Sequence, residues 1–369
     1  MGPIILTSKL FGFGGIERFG RQITKAVSDH ASEKSQQVTV FTLMDKANEI
    51  QANDFDEIVN LNCFGGNRFL FIVKSAFQIL FYPTVVFTFH LHIAPIAYLV
   101  KLLRPKLKYG VHLHGIEAWF SLSGLRKKAL QEADFITSSS KFTADKAAEM
   151  NQLDSERISV LYPALDDEWL EKMLPESVGS YRDMEINNSM LLTVARLTKF
   201  DKRKGIDLVI QALPGLIAEI PDLEYVIVGS GDDLPRLKSL ATDLNIHDRV
   251  HFKGGISDKE LVQYYQTCSL FIMPSSTEGL GIVYLEAMAF SKPVISGAYG
   301  GSSEVVIPGE SGYLIPYNDI PAIQKAVSAI LADNDKASKM GQRGNLFLQE
   351  KFNQDNMASI IIALLWPMV

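Results

Sequence analysis

The stretch from Ser275 to Ala289 reads Ser-Ser-Thr-Glu-Gly-Leu-Gly-Ile-Val-Tyr-Leu-Glu-Ala-Met-Ala, and it follows the apolar run Leu270 to Met273. This order predicts a buried strand, a short polar loop and a helix that starts near Gly281. No Ser, Thr, Asp or Asn stands between Gly279 and Gly281 to cap that helix, so its first backbone N–H groups lack a side-chain partner. Such N–H groups, beside glycines that admit a ligand, suit a phosphate or diphosphate.

Two glutamates accompany the predicted helix start. Glu278 lies just before it, and Glu286 lies more than one turn into the helix. Each carboxylate can hold hydroxyl groups on one side of a bound diphosphate. The alternative is a buried strand, loop and helix with two incidental glutamates, and this stretch alone does not separate the two interpretations.

Strand-like and helix-like runs alternate along most of the chain on both sides of this stretch. Such alternation is typical of parallel sheets covered on both faces, so we expect an α/β fold of two Rossmann-like, doubly wound domains facing each other across a cleft. The periodicity lapses from Pro175 to Ser189, which is polar and is interpreted as the linker. The first domain is therefore expected over residues 1–175 and the second over residues 190–353.

Composition excludes several classes of protein. The 369 residues are 47% hydrophobic with a net charge of −6, which supports two globular cores and argues against a nucleic-acid binder. Cys63 and Cys268 adjoin apolar runs and are expected to be buried thiols of a cytoplasmic protein. The most apolar stretch, Phe69 to Leu103, is interrupted by polar residues, so no membrane span is expected. The first residues resemble no secretion signal.

Two basic residues follow the strand-like run Met190 to Val194. Arg196 emerges at the predicted carboxyl end of that strand, where open α/β sheets bind ligands. Lys204 lies eight residues further on, before Gly205, and the two cations are suited to clamp a diphosphate. Their neighbours Lys202 and Arg203 are interpreted as solvated.

Two further strand ends carry glycines. Gly229 ends a predicted strand in a Gly-Ser-Gly turn, which permits close backbone approach but lacks the third glycine of a dinucleotide fingerprint. Gly254 lies in a loop whose backbone groups could contact a nucleotide base. A plain turn explains Gly254 equally well.

The first half offers glycines and histidines. Gly14 and Gly15 precede a predicted helix and repeat the argument about phosphate binding at a helix start. His114, at a strand end, is interpreted as a catalytic or hydrogen-bonding residue, and no third ligand follows at zinc-site spacing. For the pair His90 and His92, a structural role and a role toward the acceptor both remain open.

No metal or cofactor is expected from the sequence. A Mg–diphosphate site needs paired carboxylates after a buried strand. Asp54-Phe55-Asp56 precedes its strand, and Asp333-Asn334-Asp335 is expected between helices, so both are interpreted as solvated loops.

Taken together, these residues resemble the family 4 retaining glycosyltransferases of the GT-B fold. The most specific parts are Glu278-Gly279-Leu280-Gly281 through Glu286-Ala287, with Gly301, Glu304 and Gly312. The likeness also rests on residues already described, namely Gly14, Gly15, His114, Arg196 and Lys204.

The resemblance implies a role for each residue. Glu278 would hold hydroxyls of the donor sugar, and Glu286 would bind the ribose. The backbone of Gly279, Leu280, Gly281 and Ile282 would receive the diphosphate, while Arg196 and Lys204 neutralise it. His114 would lie near the sugar and the β-phosphate, and Gly15 would let the first domain approach the donor. The final helix, 354–369, would pack back on the first domain.

The resemblance also implies transfer of a hexose without a metal and with retained configuration. UDP-glucose is the expected donor, with a GDP-mannose-type donor as the alternative. The acceptor is expected to be a saccharide or lipid-linked saccharide. A nucleotide-sugar 2-epimerase and a catalytically silent nucleotide-sugar binding protein are the rival functions. Basic residues from Lys101 to Lys108 and from Arg126 to Lys128 suggest peripheral contact with an anionic membrane, or only a solvated basic rim.

Overall fold

The computed structural model describes residues 2–12, 14–49, 55, 57–82, 85–165 and 189–366. Contacts between residues divide the chain into two units: Met1–Ala164 with Gln354–Val369, and Leu165–Asn353. The interpreted linker, Pro175 to Ser189, lies outside the described residues except for Ser189. Asp54 and Asp56 of the first Asp-x-Asp string also lie outside them.

The first unit contains a parallel sheet whose strands are short apolar runs. Its strands are β1 (Ile4–Thr7), β2 (Val38–Thr42), β3 (Val59–Cys63), β4 (Val85–Thr88), β5 (Lys108–Leu113), β6 (Phe135–Ser138) and β7 (Ile158–Val160). Their order is β3-β2-β1-β4-β5-β6-β7, and each neighbouring pair is parallel. Central strands such as β1 are buried on both faces, which explains their unbroken apolar character.

The helices of the first unit connect successive strands. They are α1 (Gly15–Glu33), α2 (Arg68–Phe81), α3 (Ala94–Leu103), α4 (Gly124–Gln131) and α5 (Lys141–Asn151). From β1 the chain moves in one direction along the sheet, to β2, and from β3 onward it moves in the opposite direction, to β4, β5, β6 and β7. Because crossovers between parallel strands are right-handed, α1 lies on one face of the sheet and α2 to α5 lie on the other. The last helix, α12 (Gln354–Leu365), packs on α1. Next to it, the Trp366 indole donates to Gln36 Oε1 over 2.9 Å.

The second unit repeats this architecture with its own core. Its strands are β8 (Met190–Val194), β9 (Glu224–Val228), β10 (Val250–Gly254), β11 (Leu270–Met273), β12 (Val294–Gly297) and β13 (Gly312–Ile315). Its helices are α6 (Ile206–Glu219), α7 (Leu234–Asp243), α8 (Asp258–Thr267), α9 (Ile282–Ala289), α10 (Ile320–Leu331) and α11 (Asn334–Lys351). The strand order is β10-β9-β8-β11-β12-β13, and all the pairings are parallel.

The predicted fold class of two Rossmann-like parallel sheets is confirmed. One local expectation is wrong. The string Asp333-Asn334-Asp335 is not a loop between helices, because α11 starts at Asn334 and the Asp333 carboxylate caps it by accepting from Lys336 N over 3.0 Å. The segment Lys199–Lys204 forms a 3₁₀ helix, which leads into α6 through Gly205.

Candidate functional site

The second sheet changes direction beside β8. The chain passes from β8 to β9 on one side, and β11 later pairs with β8 on the other. Ligands in open α/β sheets bind outside the carboxyl ends of strands at such a switch point. Arg196 follows β8, and Glu278 follows β11, so the two loops that flank this point carry the predicted charged residues.

The loop after β8 is organised around a buried carboxylate. Asp201 is 3% exposed, and its oxygens accept from Thr198 Oγ1 over 2.7 Å and from Arg203 Nη2 over 3.2 Å. Arg196 Nε lies 3.6 Å from the same carboxylate, although the Arg196 side chain is 76% exposed. Asp201 therefore ties two cations of the loop together, while the far end of Arg196 stays open to solvent. No pattern in the sequence indicated this role for Asp201.

Lys204 and Glu278 form an ion pair between the two loops. Lys204 Nζ lies 3.0 Å from Glu278 Oε2, with side-chain exposures of 13% and 17%. Gly205 makes the approach possible, since a Cβ there would lie 2.6 Å from Pro274 O and its φ is +72°. A glycine adopts this left-handed conformation without steric cost. The loop after β8 can thus lie directly against the exit of β11.

The two cations next to Lys204 in the chain, Lys202 and Arg203, are placed differently. Arg203 Nη1 donates to Thr277 O over 2.8 Å, and its guanidinium lies over the Phe200 ring. Lys202 is exposed. The interpretation of Arg203 as solvated is therefore wrong, because this side chain is mostly buried and links the two loops. Lys204 is the cation that meets the predicted sugar-binding carboxylate.

The start of α9 has the geometry expected from its glycines. Gly281 occupies the N-cap position with φ +91°, and no side chain caps this helix end. A Cβ on Gly281 would lie 2.5 Å from the Tyr284 ring, so a side chain there would displace the helix start. Leu280 is buried, while Ile282 is half-buried. The Gly301 N–H donates to Glu278 O over 2.8 Å, which anchors the loop before α9.

Glu286 lies in α9 and is almost fully buried. Its carboxylate accepts from the Tyr265 hydroxyl over 2.7 Å, and Tyr265 lies on α8 with 0% exposure. A buried carboxylate needs such a donor to offset its desolvation. Tyr265 is thus a neighbour of the predicted ribose-binding residue. Nothing in the sequence spacing indicated it.

Gly229 and Gly254 lie at adjoining strand ends. Gly229 N donates to Gly254 O over 2.8 Å. A Cβ on Gly229 would lie 1.8 Å from Ala195 O, beside the residue that precedes Arg196. The close backbone approach predicted for Gly229 is therefore present. Around Gly254 a Cβ would meet nothing within 4 Å, which leaves open space at its φ of +71°.

The predicted residues of the first unit gather at the carboxyl edge of its sheet. Gly14 is the N-cap of α1, and no side chain caps that helix. His114 follows β5, its Nε2 lies 2.7 Å from Phe89 O, and its backbone N donates to Glu117 Oε1 over 2.5 Å. Since a carbonyl oxygen only accepts, Nε2 carries a proton and Nδ1 is the free acceptor of the neutral ring. The Glu17 carboxylate is close enough to His114 to affect its pKa.

Four histidines surround this edge. The ring centroid of His114 lies 4.6 Å from that of His112 and 4.7 Å from that of His90, and His92 lies 5.2 Å from His90. His112 is fully buried between Thr137 Oγ1 and Ser139 Oγ, which marks it as a structural residue.

Burial sets the charge of this cluster. It lowers the pKa of His112 and His90 well below the usual value, and each is lowered further by its histidine neighbours. Burial also lowers the pKa of His114, against the opposing effect of Glu117. These three rings are therefore neutral near pH 7.

The described residues contain no group of three or more His, Cys, Asp or Glu side chains arranged to hold a metal ion. Within the same residues, no helix is both long and apolar enough to cross a membrane. Neither cysteine forms a disulfide; Cys268 is buried as expected, whereas Cys63 is only partly so.

Comparison with known proteins identifies the class. Residues 185–347 match the family model described as glycosyl transferases group 1, and residues 13–169 match that of glycosyltransferase family 4. The solved structure of HepE from Anabaena, in complex with UDP, covers 99% of both chains with a TM-score of 0.79 and 19% identity. A glycosyltransferase from Rickettsia africae covers 100% of this chain and 99% of its own, with a TM-score of 0.78 and 18% identity.

Curated relatives are more similar in sequence over shorter spans. The GDP-mannose-dependent alpha-(1-6)-phosphatidylinositol monomannoside mannosyltransferase of Mycolicibacterium smegmatis is 34% identical over 246 residues, or 63% of each chain. Its Mycobacterium tuberculosis counterpart is 35% identical over 45% of each chain. The N-acetyl-alpha-D-glucosaminyl L-malate synthase of Bacillus anthracis is 26% identical over 71% of this chain and 69% of its own. The matches thus span less than two thirds of the mycobacterial relatives.

The two parallel sheets and the likeness to these solved structures show that the chain has the GT-B fold. The two family models together match most of the chain, one on each unit. The protein belongs to the family 4 glycosyltransferases, and the resemblance proposed from its sequence is confirmed.

Proposed function

We propose that this protein transfers a sugar from a nucleotide diphosphate sugar to a saccharide or lipid-linked saccharide acceptor. The observation that carries the proposal is the Lys204–Glu278 ion pair, which lies at the switch point beside the uncapped start of α9. This arrangement supplies a carboxylate for sugar hydroxyls, a cation for the diphosphate and free N–H groups within one loop pair.

The chemistry requires that charge be stabilised on a leaving group. The bond from the sugar's anomeric carbon to the diphosphate oxygen breaks while an acceptor hydroxyl attacks that carbon, and the hydroxyl proton passes to the departing diphosphate. Lys204 and Arg196 would neutralise the diphosphate together with the N–H groups of Gly279 to Ile282. Preorganised donors of this kind lower a barrier without a metal ion. We propose retention of configuration by attack from the leaving-group side.

The glutamates and His114 would hold the sugar and ribose. Glu278, fixed by Lys204, would accept from hydroxyls of the donor sugar, and Glu286, fixed by Tyr265, would accept from the ribose. Because the neutral His114 ring has Nδ1 as its remaining acceptor, it suits a sugar hydroxyl better than a phosphate.

Two lines of support favour different donors. The sequence resemblance favours UDP-glucose, and HepE was solved with UDP at 19% identity. The curated relatives at 34% and 35% identity are named as GDP-mannose-dependent. Higher identity makes GDP-mannose the first donor to test and UDP-glucose the second. The same names support a lipid-linked acceptor.

A thermal-shift panel tests donor binding. UDP, GDP, UDP-glucose and GDP-mannose are added to the wild type and to Lys204→Ala, with Lys202→Ala as the matched control in the same 3₁₀ helix. A ligand present at a hundred times its Kd should stabilise the wild type by about 2.7 kcal/mol. Lys204→Ala should lose most of this shift, while Lys202→Ala keeps it. No shift with any nucleotide would contradict the proposal.

Turnover separates transfer from the rival functions. With the bound donor and a lipid-linked acceptor, the products should be the free nucleotide diphosphate and a glycosylated acceptor. An epimerised nucleotide sugar in the absence of acceptor would indicate a 2-epimerase instead. Binding without any product would indicate a silent binding protein.

A further inference from the structure

Helix α2 exposes an apolar stripe along its whole length. Phe69, Val73, Phe77 and Phe81 recur at four-residue spacing, and they are 76%, 47%, 59% and 61% exposed. Residues at this spacing share one face of a helix. The four side chains therefore form a continuous apolar ridge in contact with water.

The opposite face of α2 is apolar as well and lies in the core. Phe71 and Ile79 are buried there, with Ser75 between them. Lys74 is the one charged residue between Phe69 and Phe81. A helix that is apolar all round is normally covered on every side, and large exposed apolar patches mark binding surfaces.

The ridge continues onto the neighbouring helices. Helix α2 packs beside α3, and α3 packs beside α4, all on the same face of the sheet. Leu102 and Leu103 at the end of α3 are 61% and 74% exposed, and Leu125 at the start of α4 is 49% exposed. We call this surface of α2, α3 and α4 the apolar layer.

The charge of the surrounding segment is one-sided. From Ile58 to Gln131 the only acidic residue is Glu117, in a chain whose net charge is −6. The same segment carries nine basic residues: Arg68, Lys74, Lys101, Arg104, Lys106, Lys108, Arg126, Lys127 and Lys128. Its balance of +8 is the nine basic residues less Glu117.

Some of these basic side chains form ion pairs or hydrogen bonds within the first unit. Lys101 pairs with Asp134 over 2.8 Å, and Arg104 donates to Ile79 O over 3.1 Å at the end of α2. Lys74 on α2, Lys106 after α3 and Lys128 on α4 are exposed around the apolar layer. Lys128 shares a helix face with the exposed Leu125, three residues earlier.

We propose that the apolar layer docks on the surface of an anionic lipid bilayer. Apolar side chains that insert at the acyl boundary, surrounded by lysines and arginines that meet anionic headgroups, are the two features an interfacial site combines. The excess of nine basic residues over the single acidic residue Glu117 favours this occupant, because a bilayer presents one sign of charge over a wide area. Helix α2 has 14 residues, about 21 Å in length, so it lies along the interface and does not span it.

Vesicle flotation tests the proposal without donor or acceptor, so its outcome is independent of the proposed function. The full chain is mixed with neutral phosphatidylcholine vesicles, or with vesicles containing 30 mol% phosphatidylglycerol as the anionic probe. We expect the partition coefficient to be at least about tenfold higher on the anionic vesicles and to fall with added salt.

Variants locate the contact. Phe77→Ser should lower the partition coefficient about five- to tenfold, and Phe69→Ser with Phe77→Ser should lower it further. Lys106→Ala and Lys128→Ala should each lower it about fivefold. Leu346→Ser, at a 53% exposed position on α11, and Lys339→Ala on the same helix are matched controls that should leave it unchanged. Every substituted side chain is exposed, so each variant should fold, and circular dichroism checks that it does.

Three results would overturn the proposal. The first is the absence of flotation with anionic vesicles. The second is equal flotation of the wild type and the Phe69→Ser/Phe77→Ser variant. The third is a dimer in analytical ultracentrifugation that Phe77→Ser dissociates, because the apolar layer would then cover a second copy of the chain.

Discussion

Lys204 Nζ lies 3.0 Å from Glu278 Oε2, although the two residues are 74 positions apart in the chain. Each is mostly buried, and each belongs to one of the loops that flank the switch point of the second sheet. A mostly buried ion pair of this kind fixes both side chains before a ligand arrives. A cation and a carboxylate held in place need no reorganisation at the moment of reaction.

Lys204→Ala and Glu278→Ala should each lower turnover by about 10²–10³-fold, since each would remove a contact to the transition state. The double variant should be little worse than the poorer single one, because the first substitution already releases the partner. Steady-state kinetics with saturating acceptor measure both effects. Near-normal turnover in either single variant would remove that residue from the site.

The Lys204–Glu278 pair depends on Gly205 for two reasons: its backbone conformation and the lack of space for a side chain. Its φ is +72°, and a Cβ would lie 2.6 Å from Pro274 O. Gly254 has a similar φ of +71° with nothing within 4 Å, which makes it a matched control. Gly254→Ala should cost about 1 kcal/mol of backbone strain, whereas Gly205→Ala should cost about 2–4 kcal/mol.

Urea unfolding of both glycine variants measures the difference as a shift of the midpoint. Gly205→Ala should also reduce turnover, because the displaced loop carries Lys204 away from Glu278. Equal midpoints for the two variants would show that the contact with Pro274 adds nothing to the conformational strain.

Local patterns sufficed to predict most of the fold. The strands β8 and β11 have the predicted bounds, because unbroken apolar runs between polar turns leave little choice of register. Arg196 and Glu278 could be placed at strand ends for the same reason. Their assigned roles in binding and catalysis stay predictions.

What the sequence could not predict depends on contacts between distant segments. Asp201 lies among four basic residues, which is a pattern typical of a solvated loop. In the fold it is buried and accepts hydrogen bonds from Thr198 and Arg203. Tyr265 meets Glu286 because α8 and α9 are neighbours, which no spacing reveals. The exposed ridge of α2 has the sequence of a buried helix.

Asp201 offers a test of how the loop after β8 is held. Asp201→Asn keeps the size of the side chain but removes the charge that meets Arg203 and Arg196. Charge-assisted hydrogen bonds are worth about 1.5–3 kcal/mol, so donor kcat/KM should fall by about tenfold or more. Asp207→Asn is the control, because its partner Arg236 keeps its second carboxylate, Asp233. If both variants lose the same activity, Asp201 has no special part in positioning the cations.

The buried histidines predict how the first unit responds to acid. Burial lowers the pKa of His90 and His112 well below 6.5 in the folded state, whereas the unfolded chain retains the ordinary value. Below pH 6.5 the unfolded state therefore binds protons that the folded state does not, and stability falls as the pH drops toward the folded pKa values. The loss should approach about 1.4 kcal/mol per pH unit for each histidine.

Removing one of these histidines should reduce that dependence. His112→Asn lowers stability at pH 7 through its lost bonds to Thr137 and Ser139, but between pH 6.5 and pH 5 its stability should fall less steeply than that of the wild type. Urea unfolding at pH 7, 6 and 5 gives the slopes. His247→Asn, at an exposed position of the second unit, should keep the wild-type slope. An unchanged slope in His112→Asn would mean that the folded state protonates this ring as readily as the unfolded chain does. In that case burial would not hold the ring neutral, and the neutral state inferred for its neighbour His114 would lose its physical basis.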